Sequence, residues 1–472
     1  MSDETHELEF QKELKKYETP IPGLIVFDLT VFGDNRGWFK ENWQRDKMLK
    51  LGLPDFGPIQ NNFSYNSKRG IMRGIHAEPW DKFISVGAGS FFGAWVDIRE
   101  GSETYGKVFT TEIDASKAIF VPAGVANSYL TLEDNTVYSY LVNDHWYPEA
   151  KYSFVSAFDS SLGIDWPIPP SEWEVSEKDK NHPLLKDVAP IPAKKILVTG
   201  ANGQLGTALR SEFPNAEFVS REELDISSPD LSSLRRWRDY GTIINAAAYT
   251  AVDQAETSEG RKAAWKANAQ AVGNLSKVAA EFDITLVHIS SEYVFDGTVK
   301  DHDETEGFSP LSVYGHTKAA GDIAASTTPR HYIVRTTWVI GEGNNFVRTM
   351  HSLAERGIKP SVVDDQIGRL TFTEDLAKGI KHLLETKVEY GTYNLTNDGE
   401  SASWADIAKA VYELSGKSAD DVTPVSTEEY YQGKEGIAPR PLQSTLNLGK
   451  IKATGFAPRE WRQALHNYLD KQ

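Results

Sequence analysis

The chain has 472 residues, 40% of them hydrophobic and 25% charged, a length and composition that favour two or more globular domains. The net charge of −17 argues against nucleic acid as a partner, and the absence of cysteine excludes disulfides, thiolate metal sites and cysteine nucleophiles. No apolar run approaches the roughly 20 residues that span a bilayer. The acidic N-terminus is unlike a signal peptide, so we expect a cytoplasmic protein without a membrane partner.

Short β-branched or alternating segments, separated by turn residues, occupy the first 180 residues. They include 23–27, 83–86, 93–98 and 137–142, with few helical patterns between them. Seven of the 12 tryptophans also precede residue 180, as is typical of a β-fold with aromatic-lined clefts. The first half is therefore predicted to be an all-β sandwich or barrel.

Several side chains in this half suit removal of a proton next to a carbonyl group. His76 is a candidate base, Tyr140 a candidate acid, and Lys82 or Arg73 a candidate cation for the enolate oxygen. A carboxylate such as Asp159 would fix the tautomer of the histidine. A lone histidine is usually structural, so these residues alone do not establish a site. The half lacks the H-x-H spacing of a cupin metal site, and we expect no metal.

Residues 20–188 resemble the dTDP-4-dehydrorhamnose 3,5-epimerases, a family with a cupin-like jelly-roll fold. The stretches that carry the resemblance are 31–39, 73–76, 96–99, 121–124 and 162–167. The resemblance implies that His76 is the base that acts at C3 and C5 beside a C4 ketone, with Asp159 as its carboxylate partner. Lys82 and Tyr140 fall on the family's lysine and tyrosine. The residues expected to meet the substrate are Arg36, Phe39, Glu41, Gln60, Asn62, Arg73 and Asn127.

Two features depart from the pattern of that family. The loop 77–81 is shorter than usual, and Asn127 stands where the family generally has a second histidine. Asparagine keeps a hydrogen bond but carries no charge. Epimerisation at one centre only therefore stays open as an alternative.

The composition and pattern of the sequence change near residue 176. Segment 176–183 is charged and turn-prone, and the proline-containing segment that follows is typical of a short, stiff linker. We place the first domain at 1–188, the linker at 189–194 and the second domain at 195–472.

Strands alternate with helical stretches after the boundary. The predicted strands are 195–199, 217–220, 242–247, 284–290 and 332–335, and a helix is predicted over 204–213. This βαβ rhythm predicts an α/β Rossmann domain with a doubly wound parallel sheet.

A glycine loop and a tyrosine–lysine pair point to a carbonyl reductase. Gly200, Gly203 and Gly206 follow a strand and open a helix, where backbone N–H groups can meet a pyrophosphate. Tyr314 and Lys318 are one helical turn apart, so the ammonium is predicted to lower the pKa of the phenol, which donates a proton to a carbonyl. A tyrosine–lysine pair by itself usually lies on the surface without a function. Here the glycine loop, the strand-end serines at 290–291 and the tyrosine–lysine pair follow one another in the order expected for a reductase, which argues against that alternative.

Residues 195 to about 470 resemble the extended short-chain dehydrogenase/reductases, and within them the dTDP-4-dehydrorhamnose reductases. The stretches that carry this resemblance are 245–253, 291–297, 335–339, 343–347 and 440–441. It implies a catalytic group of Ser291, Tyr314 and Lys318, although the family commonly has threonine in the first role. It also implies a small C-terminal substrate-binding region. The cofactor-binding residues expected are Gly200, Asn202, Gly203, Gln204, Leu205, Gly206, Arg221, Asp225, Ile226, Ala246, Ala247, Tyr314 and Lys318.

Three further residues are expected to contact the sugar nucleotide. A fourth residue, Arg221, is expected to determine whether the cofactor is NADPH or NADH. Trp338, Asn345 and Arg440 are the substrate candidates, and core packing is an equal alternative for Trp338. Arg221 stands where an acidic residue would bind the ribose hydroxyls of NADH, so NADPH is the expected cofactor and NADH the alternative.

The two resemblances together imply a bifunctional enzyme that makes dTDP-L-rhamnose from dTDP-4-dehydro-6-deoxy-D-glucose. Epimerisation at C3 and C5 would precede reduction at C4, and a homodimer is expected. The alternative is a reductase whose jelly-roll half is a non-catalytic module, or one that epimerises a single centre.

Overall fold

The computed structural model describes residues 8–471, and the chain divides into two compact units, Met1–Ala193 and Lys194–Gln472. The segment predicted as a linker, 189–194, is partly packed into the first unit. Ile191 is only 4% exposed, and its N–H donates to the Ile98 carbonyl at 2.9 Å. Its apolar side chain joins a core cluster, which is why this part of the segment is not a free connection.

The first unit is built from two facing six-stranded sheets. Their pairings are antiparallel except where β14 lies parallel to β6. The orders are β1-β2-β10-β7-β12-β5 and β13-β6-β11-β8-β9. The strands are β1 Lys15–Glu18, β2 Ile25–Asp28, β3 Val31–Asp34, β4 Gly37–Lys40, β5 Gln60–Asn66, β6 Ile71–Ala77, β7 Lys82–Ala88, β8 Phe91–Asp97, β9 Val108–Ile113, β10 Lys117–Val121, β11 Val125–Thr131, β12 Thr136–Val142, β13 Ser153–Phe154 and β14 Glu174–Val175, with helices α1 Arg45–Lys50 and α2 Glu177–Lys180.

The core of this unit lies between the two sheets. Ile84 and Tyr138 of one sheet pack with Phe91, Trp95 and Tyr129 of the other, and all five are buried. Period-2 alternation explains this, because every second side chain of a strand points to the same face. The predicted all-β jelly-roll domain is confirmed.

The second unit contains a six-stranded parallel sheet in the order β16-β15-β17-β18-β19-β24. Its strands are β15 Lys195–Thr199, β16 Glu217–Val219, β17 Tyr240–Asn245, β18 Thr285–Ser291, β19 His331–Thr336, β20 Val339–Ile340, β21 Ser361–Val363, β22 Ile367–Gly368, β23 Thr371–Phe372, β24 Gly391–Asn394, β25 Ala402–Ser403 and β26 Thr423–Val425. Its helices are α3 Gln204–Glu212, α4 Ser258–Trp265, α5 Ala271–Glu281, α6 Val313–Ser326, α7 Phe346–Glu355, α8 Thr373–Thr386, α9 Trp404–Leu414, α10 Thr427–Tyr431, α11 Gly449–Ala453 and α12 Trp461–Leu469, with one π-helical turn, Lys266–Gln270.

Separate apolar clusters cover the sheet on both faces, one including α5 residues and the other α3 and α8 residues. A third cluster joins α7, α9 and α12 into the small C-terminal region. The strand order reverses between β16 and β17, so the crevice at the carboxyl end of β15 is where such folds bind nucleotides. The predicted Rossmann domain is confirmed. None of the helices within residues 8–471 has the length and apolar character needed to cross a membrane.

Candidate active sites

His76 lies on β6 and is hydrogen-bonded to Asp179 of α2. The ring Nε2 is 3.1 Å from Asp179 Oδ1, and the other carboxylate oxygen accepts the Gly74 N–H at 3.1 Å. The hydroxyl of Ser176 caps α2 by accepting the Asp179 N–H, which fixes the carboxylate in place. Burial alone would raise the pKa of Asp179, but hydrogen bonds from His76 and Gly74 lower it to about 2. The pair is therefore a histidine beside a permanent carboxylate.

Asp159 does not have the role that the resemblance implies. Its Oδ1 accepts the N–H and the hydroxyl of Ser161, and its Oδ2 accepts the Leu185 N–H at 2.7 Å. Both carboxylate oxygens thus cap local turns of the chain. Asp179, 20 residues further along, takes the position beside His76 instead.

His182 was not singled out from the sequence, yet it belongs to the same group. Its side chain is 4% exposed, stacks on Phe154 at 4.8 Å and meets the His76 ring edge-on at 5.3 Å. Burial lowers its pKa, and the neighbouring His76 lowers it further. His76, Asp179 and His182 have ligand atoms within 4.8 Å of one another, a spacing that fits a metal ion. The direct hydrogen bond between His76 and Asp179 uses the same atoms, so the arrangement fits an acid–base pair.

A lysine, a glutamate and an asparagine form a second polar group next to His76. Lys82 Nζ donates to Glu78 Oε1 at 2.5 Å, and both side chains are nearly buried. The Asn127 amide donates to the His76 carbonyl at 2.9 Å and to Glu78 Oε2 at 3.3 Å. Asn127 therefore links the strand that bears His76 to the lysine. Glu78 was not predicted, because its contacts with Lys82 and Asn127 join segments that are separate in the sequence.

Tyr140 lies on the facing sheet, on β12, with Lys82 Nζ 5.3 Å from its ring centroid. Burial raises the pKa of its phenol, and the charge of Glu78 raises it further, so Tyr140 carries its proton at neutral pH. Arg73 Nε donates to Asn66 Oδ1 at 3.1 Å, and Tyr129 donates to the same oxygen. The structure thus connects His76 to Lys82 and Tyr140 through Asn127 and Glu78.

The other predicted substrate residues of this unit divide into two groups. Gln60 and Asn62 lie on β5, joined by a 2.8 Å hydrogen bond, and Asn62 is directly opposite Tyr140. Arg36 pairs with its neighbour Asp34, Glu41 pairs with Lys47, and Phe39 is 68% exposed. Within residues 8–471, no hydrogen bond or ion pair joins Arg36, Phe39 or Glu41 to the groups around His76.

The glycine loop of the second unit leaves no room for a side chain at Gly200 or at Gly206. Gly200 has φ +72°, and a Cβ there would lie 2.6 Å from the Ala247 nitrogen. A Cβ on Gly206 would lie 2.2 Å from the Gly200 carbonyl oxygen. Gly203 precedes α3 without a side-chain cap, so the first N–H groups of the helix remain available to an anion.

A cavity of about 480 Å³ opens at this loop. The predicted cofactor residues that line it are Gly200, Asn202, Gly203, Arg221, Asp225, Ile226, Ala246 and Ala247. The side chains of Gln204 and Leu205 are used elsewhere: Gln204 Oε1 accepts the Gly341 N–H at 2.7 Å, and Leu205 is buried in the core. These two residues, like Gly206, hold the loop in shape and leave only backbone groups for a cofactor.

Two cationic side chains border the cavity. Arg221 follows β16 and is exposed, and Lys266, on the π-helical turn, lies 3.8 Å from Asp225. Lys266 was not predicted, because it is distant in sequence from the glycine loop. Both cations lie at the end of the cavity that Ile226 and Asp225 line, where an adenosine ribose would sit.

Ser291, Tyr314 and Lys318 meet at the carboxyl end of β18. Ser291 is the last residue of that strand, and Ser312 caps α6 by accepting the Gly315 N–H, which sets the first turn that bears Tyr314. Tyr314 is 9% and Lys318 2% exposed. The Lys318 ammonium donates to the Ile289 carbonyl at 2.6 Å, and burial lowers its pKa to about 8.

The prediction that Lys318 lowers the pKa of Tyr314 is wrong for this structure. Burial is the largest effect and raises that pKa, the charge of Glu292 raises it further, and only Ser291 lowers it by hydrogen bonding. The ammonium is directed to the Ile289 carbonyl rather than to the phenol. Tyr314 is therefore a firmly protonated donor.

Glu292 is a buried carboxyl group at the same site and was not predicted. It is 2% exposed, and its Oε2 lies 2.6 Å from Ser291 Oγ. Burial raises the pKa of Glu292 to about 7, against hydrogen bonds from Ser291 and from backbone N–H groups. The sequence contained one signal, an acidic residue directly after the strand-end serine.

The three predicted substrate residues of this unit differ in their surroundings. Trp338 stacks on Trp404 at 3.9 Å as part of the C-terminal core, as the packing alternative expected. Asn345 caps α7, and its amide also donates to the Gly341 carbonyl and to Tyr468, so its polar atoms are already used. Arg440 pairs with Asp253 at 2.9 Å.

Arg440 also interacts indirectly with Tyr314, through Tyr293. Its charge lowers the pKa of Tyr293, although burial, the larger effect, raises it. The ring of Tyr293 meets that of Tyr314 edge-on at 5.3 Å. Among the three predicted substrate residues, Arg440 is thus the one connected to the Ser291 group.

Comparisons with known proteins agree with this division. Residues 18–187 match the family model described as dTDP-4-dehydrorhamnose 3,5-epimerase, and residues 194–472 match that described as RmlD substrate binding domain. A protein named RmlC homolog from Streptococcus pyogenes is 55% identical over 183 residues, 37% of this chain and 91% of that protein. A dTDP-4-dehydrorhamnose reductase from Aggregatibacter actinomycetemcomitans is 36% identical over 297 residues, 58% of this chain and 97% of that protein.

Among solved structures, the dTDP-4-dehydrorhamnose reductase of Bacillus anthracis in complex with NADP is 34% identical, with a TM-score of 0.54. The match covers 59% of this chain and all of that one. The chain therefore belongs to two families, the dTDP-4-dehydrorhamnose 3,5-epimerases through its first unit and the RmlD substrate-binding-domain family of dTDP-4-dehydrorhamnose reductases through its second.

Proposed function

We propose that the chain converts dTDP-4-dehydro-6-deoxy-D-glucose into dTDP-L-rhamnose in two steps. The first unit inverts C3 and C5 beside the C4 ketone, and the second unit reduces that ketone. The observation that carries the proposal is the presence, in one chain, of a His76–Asp179 pair and a buried Tyr314–Lys318 pair. Each pair lies in the unit whose matched family or relative has the corresponding activity by name. Because the nucleotide sugar and the reducing cofactor are cytoplasmic metabolites, we place the enzyme in the cytoplasm.

In the epimerase unit, His76 removes the proton from the carbon next to the ketone. Asp179 stays ionised at neutral pH, so the proton of the neutral ring is held on the nitrogen that faces it, and the second ring nitrogen is the base. Asp179 also stabilises the imidazolium that forms. The electron pair of the broken C–H bond moves to the C4 oxygen as an enolate.

Lys82 and Tyr140 complete this step. The ammonium of Lys82 is held by Glu78 and has further N–H donors for the enolate oxygen. Tyr140 is on the facing sheet and carries its proton, which it delivers to the carbon from the face opposite His76. Proton removal from one face and return from the other inverts the centre, and the C4 ketone is restored.

In the reductase unit, bound NADPH would supply the hydride for C4. The glycine loop, where a Cβ on Gly200 or Gly206 would collide with backbone, and the N-terminus of α3 would hold its pyrophosphate. Ser291 holds the ketone oxygen, and Tyr314 donates its proton to that oxygen as the alcohol forms. Lys318, charged below its pKa of about 8, donates to the Ile289 carbonyl and so holds α6, which bears Tyr314, against β18, which ends at Ser291.

The choice of NADPH over NADH rests on Arg221 and Lys266, the two cations that border the cavity. Replacing Arg221 by alanine is expected to raise the KM for NADPH by about 10- to 100-fold, because one charge-assisted hydrogen bond to the 2′-phosphate contributes about 1.5–3 kcal/mol. The KM for NADH should change less than threefold or so, since NADH lacks that phosphate.

Steady-state kinetics with both cofactors measure this difference. Lys262→Ala is the matched control, because Lys262 is exposed on α4 and does not line the cavity. An equal rise in the KM for NADPH and the KM for NADH in Arg221→Ala would contradict a role of Arg221 in cofactor choice.

We further propose a homodimer formed through the first unit. Strand β5 is an edge strand of its sheet, and Phe63 and Tyr65 on it are more than 60% exposed. Phe32 and Phe39 on the β3–β4 hairpin are also exposed by more than half. Unpaired edge strands and exposed aromatic side chains are features of protein interfaces.

The double substitution Phe63→Asp with Tyr65→Asp is expected to convert the dimer to a 52.6 kDa monomer, because two charges per protomer would be buried at the interface. Sedimentation velocity measures the mass. Leu234→Asp, at an exposed apolar side chain of the second unit, serves as the control and should leave the dimer intact. A wild-type protein that sediments as a monomer would rule out the dimer.

The purified chain, given the 4-keto sugar nucleotide and NADPH without other enzymes, tests the proposed function. Formation of dTDP-L-rhamnose, identified by NMR, with one NADPH oxidised per sugar is the expected result. A product inverted at one centre only would support the single-centre alternative. NADPH consumption that begins only after a separate epimerase is added would make the first unit a non-catalytic module.

A further inference from the structure

We propose that Glu292 is a positioning residue of the reductase site: its neutral carboxyl group donates a hydrogen bond to Ser291 and so leaves the Ser291 proton free for the ketone oxygen. This inference rests on the proposed reductase function. It adds a residue that acts through another, because Glu292 touches Ser291 and not the reacting atoms.

The single hydroxyl proton of Ser291 can be donated to only one partner at a time. A hydroxyl group has one donor and two acceptor positions. Ser291 Oγ accepts the Tyr293 N–H at 3.3 Å and lies 2.6 Å from Glu292 Oε2. The second of these contacts is short, as expected when one partner is a carboxyl group.

The protonation state of Glu292 decides which way that short hydrogen bond runs. An ionised carboxylate can only accept hydrogen bonds, so Ser291 donates its proton to Glu292 in a charge-assisted hydrogen bond. The hydroxyl then has no proton left to donate to the substrate. A neutral carboxyl group donates to Ser291 Oγ instead. When the ketone binds, the Ser291 proton can then turn from its hydrogen bond with Tyr314 to the ketone oxygen, to which Tyr314 also donates.

The surroundings of Glu292 favour the neutral form. The side chain is 2% exposed, and burial disfavours a charge that has no cationic partner. The cations on the packed elements are engaged: Lys318 donates to the Ile289 carbonyl, Arg335 pairs with Asp322, and Arg440 pairs with Asp253.

The remaining titratable groups near Glu292 do not stabilise its charge. The phenols of Tyr293 and Tyr314 interact with it, and a charge on Glu292 raises the pKa of both. His288, on the same strand as Ser291, is buried and neutral because burial lowers its pKa, and Glu256 accepts the Val313 N–H at the start of α6. The raised pKa of Glu292, about 7, agrees with this geometry.

The kcat/KM for ketone reduction is expected to fall as the pH rises. Below pH 7 or so the carboxyl group is neutral and Ser291 donates to the substrate. As the pH rises through the pKa of about 7, ionisation of Glu292 withdraws the Ser291 proton, and kcat/KM for ketone reduction falls toward tenfold per pH unit. Lys318, with a pKa of about 8, adds a second and more alkaline limb.

Glu292→Gln tests the inference, because the amide N–H donates to Ser291 at every pH. We expect the wild-type kcat/KM for pre-epimerised 4-keto sugar to fall above about pH 7, and the variant to keep its plateau until the limb set by Lys318. Glu256→Gln is the matched control, with the wild-type profile expected. The same alkaline limb in wild type and Glu292→Gln would overturn the inference while leaving the reductase function intact.

A second readout needs no turnover. Infrared difference spectra of the protein alone, titrated from acid to alkaline pH, should show a carboxylic acid C=O band that disappears with an apparent pKa near 7 and is absent from Glu292→Gln. Loss of this band only near the ordinary glutamate pKa of about 4.3 would also overturn the inference. If no ketone is reduced at all, the proposed function fails, while this spectrum still reports the state of Glu292.

Discussion

Replacing Asp179 by asparagine is expected to slow epimerisation by about 10²- to 10⁴-fold, because the amide cannot stabilise the imidazolium and does not hold the ring proton on the correct nitrogen. Exchange of substrate hydrogen for solvent deuterium at C3 and C5, followed by NMR without NADPH, measures this step alone. His76→Ala should slow epimerisation at least as much, since it removes the base itself. Reduction of pre-epimerised substrate should continue in both variants.

Asp159→Asn is the matched control for that result. Asp159 caps the turn at 160–162 and accepts the Leu185 N–H, so its loss should lower the free energy of unfolding by about 0.5–2 kcal/mol, an amount typical of a lost cap, and thermal unfolding measures this loss. Deuterium exchange should stay within a few-fold of wild type. Slow exchange in Asp159→Asn together with normal exchange in Asp179→Asn would reverse the assignment made from the structure.

Replacing Tyr314 by phenylalanine is expected to lower kcat/KM for ketone reduction by about 10²- to 10⁴-fold, the usual contribution of a positioned general acid. The phenyl ring preserves the edge-on contact with Tyr293, so the fold and NADPH affinity, followed by cofactor fluorescence, should change little. Deuterium exchange at C3 and C5 should be unaffected, because that chemistry belongs to the first unit.

Mixing the variants provides the control for this prediction. Asp179→Asn retains a working reductase and Tyr314→Phe a working epimerase, so an equimolar mixture should again form dTDP-L-rhamnose from substrate and NADPH. A mixture that remains inactive although each single activity is intact would mean that the epimerised ketone does not leave the chain that made it. Reduction at the wild-type rate by Tyr314→Phe alone would remove Tyr314 from the mechanism.

The fold was predictable because both halves have strong periodic signals. Strand β15 was predicted over the residues observed, and the predicted strand at 137–142 differs from β12 by one residue. Alternation of period 2, βαβ spacing and glycines between a strand and a helix are local patterns, and local patterns survive without knowledge of the packing. The same reasoning located Gly200, Tyr314 and Lys318.

Contacts between distant segments were not predictable in the same way. Which of two carboxylates faces His76 depends on how α2 folds back on β6, and no spacing in the sequence encodes this. The pKa of Tyr314 depends on burial and on Glu292 rather than on the turn that it shares with Lys318. Asn345 was assigned to the substrate, but its amide is satisfied by the Gly341 carbonyl and by Tyr468. These are tertiary effects that override local patterns.

The most direct test of one chain performing both steps is a single reaction in D₂O with unlabelled NADPH and the 4-keto sugar nucleotide. We expect dTDP-L-rhamnose with deuterium at C3 and C5, delivered from solvent, and hydrogen at C4, delivered from the cofactor. NMR of the product reads all three positions at once. A 6-deoxy sugar with the D configuration, or a reduced product without deuterium at C3 and C5, would contradict this expectation.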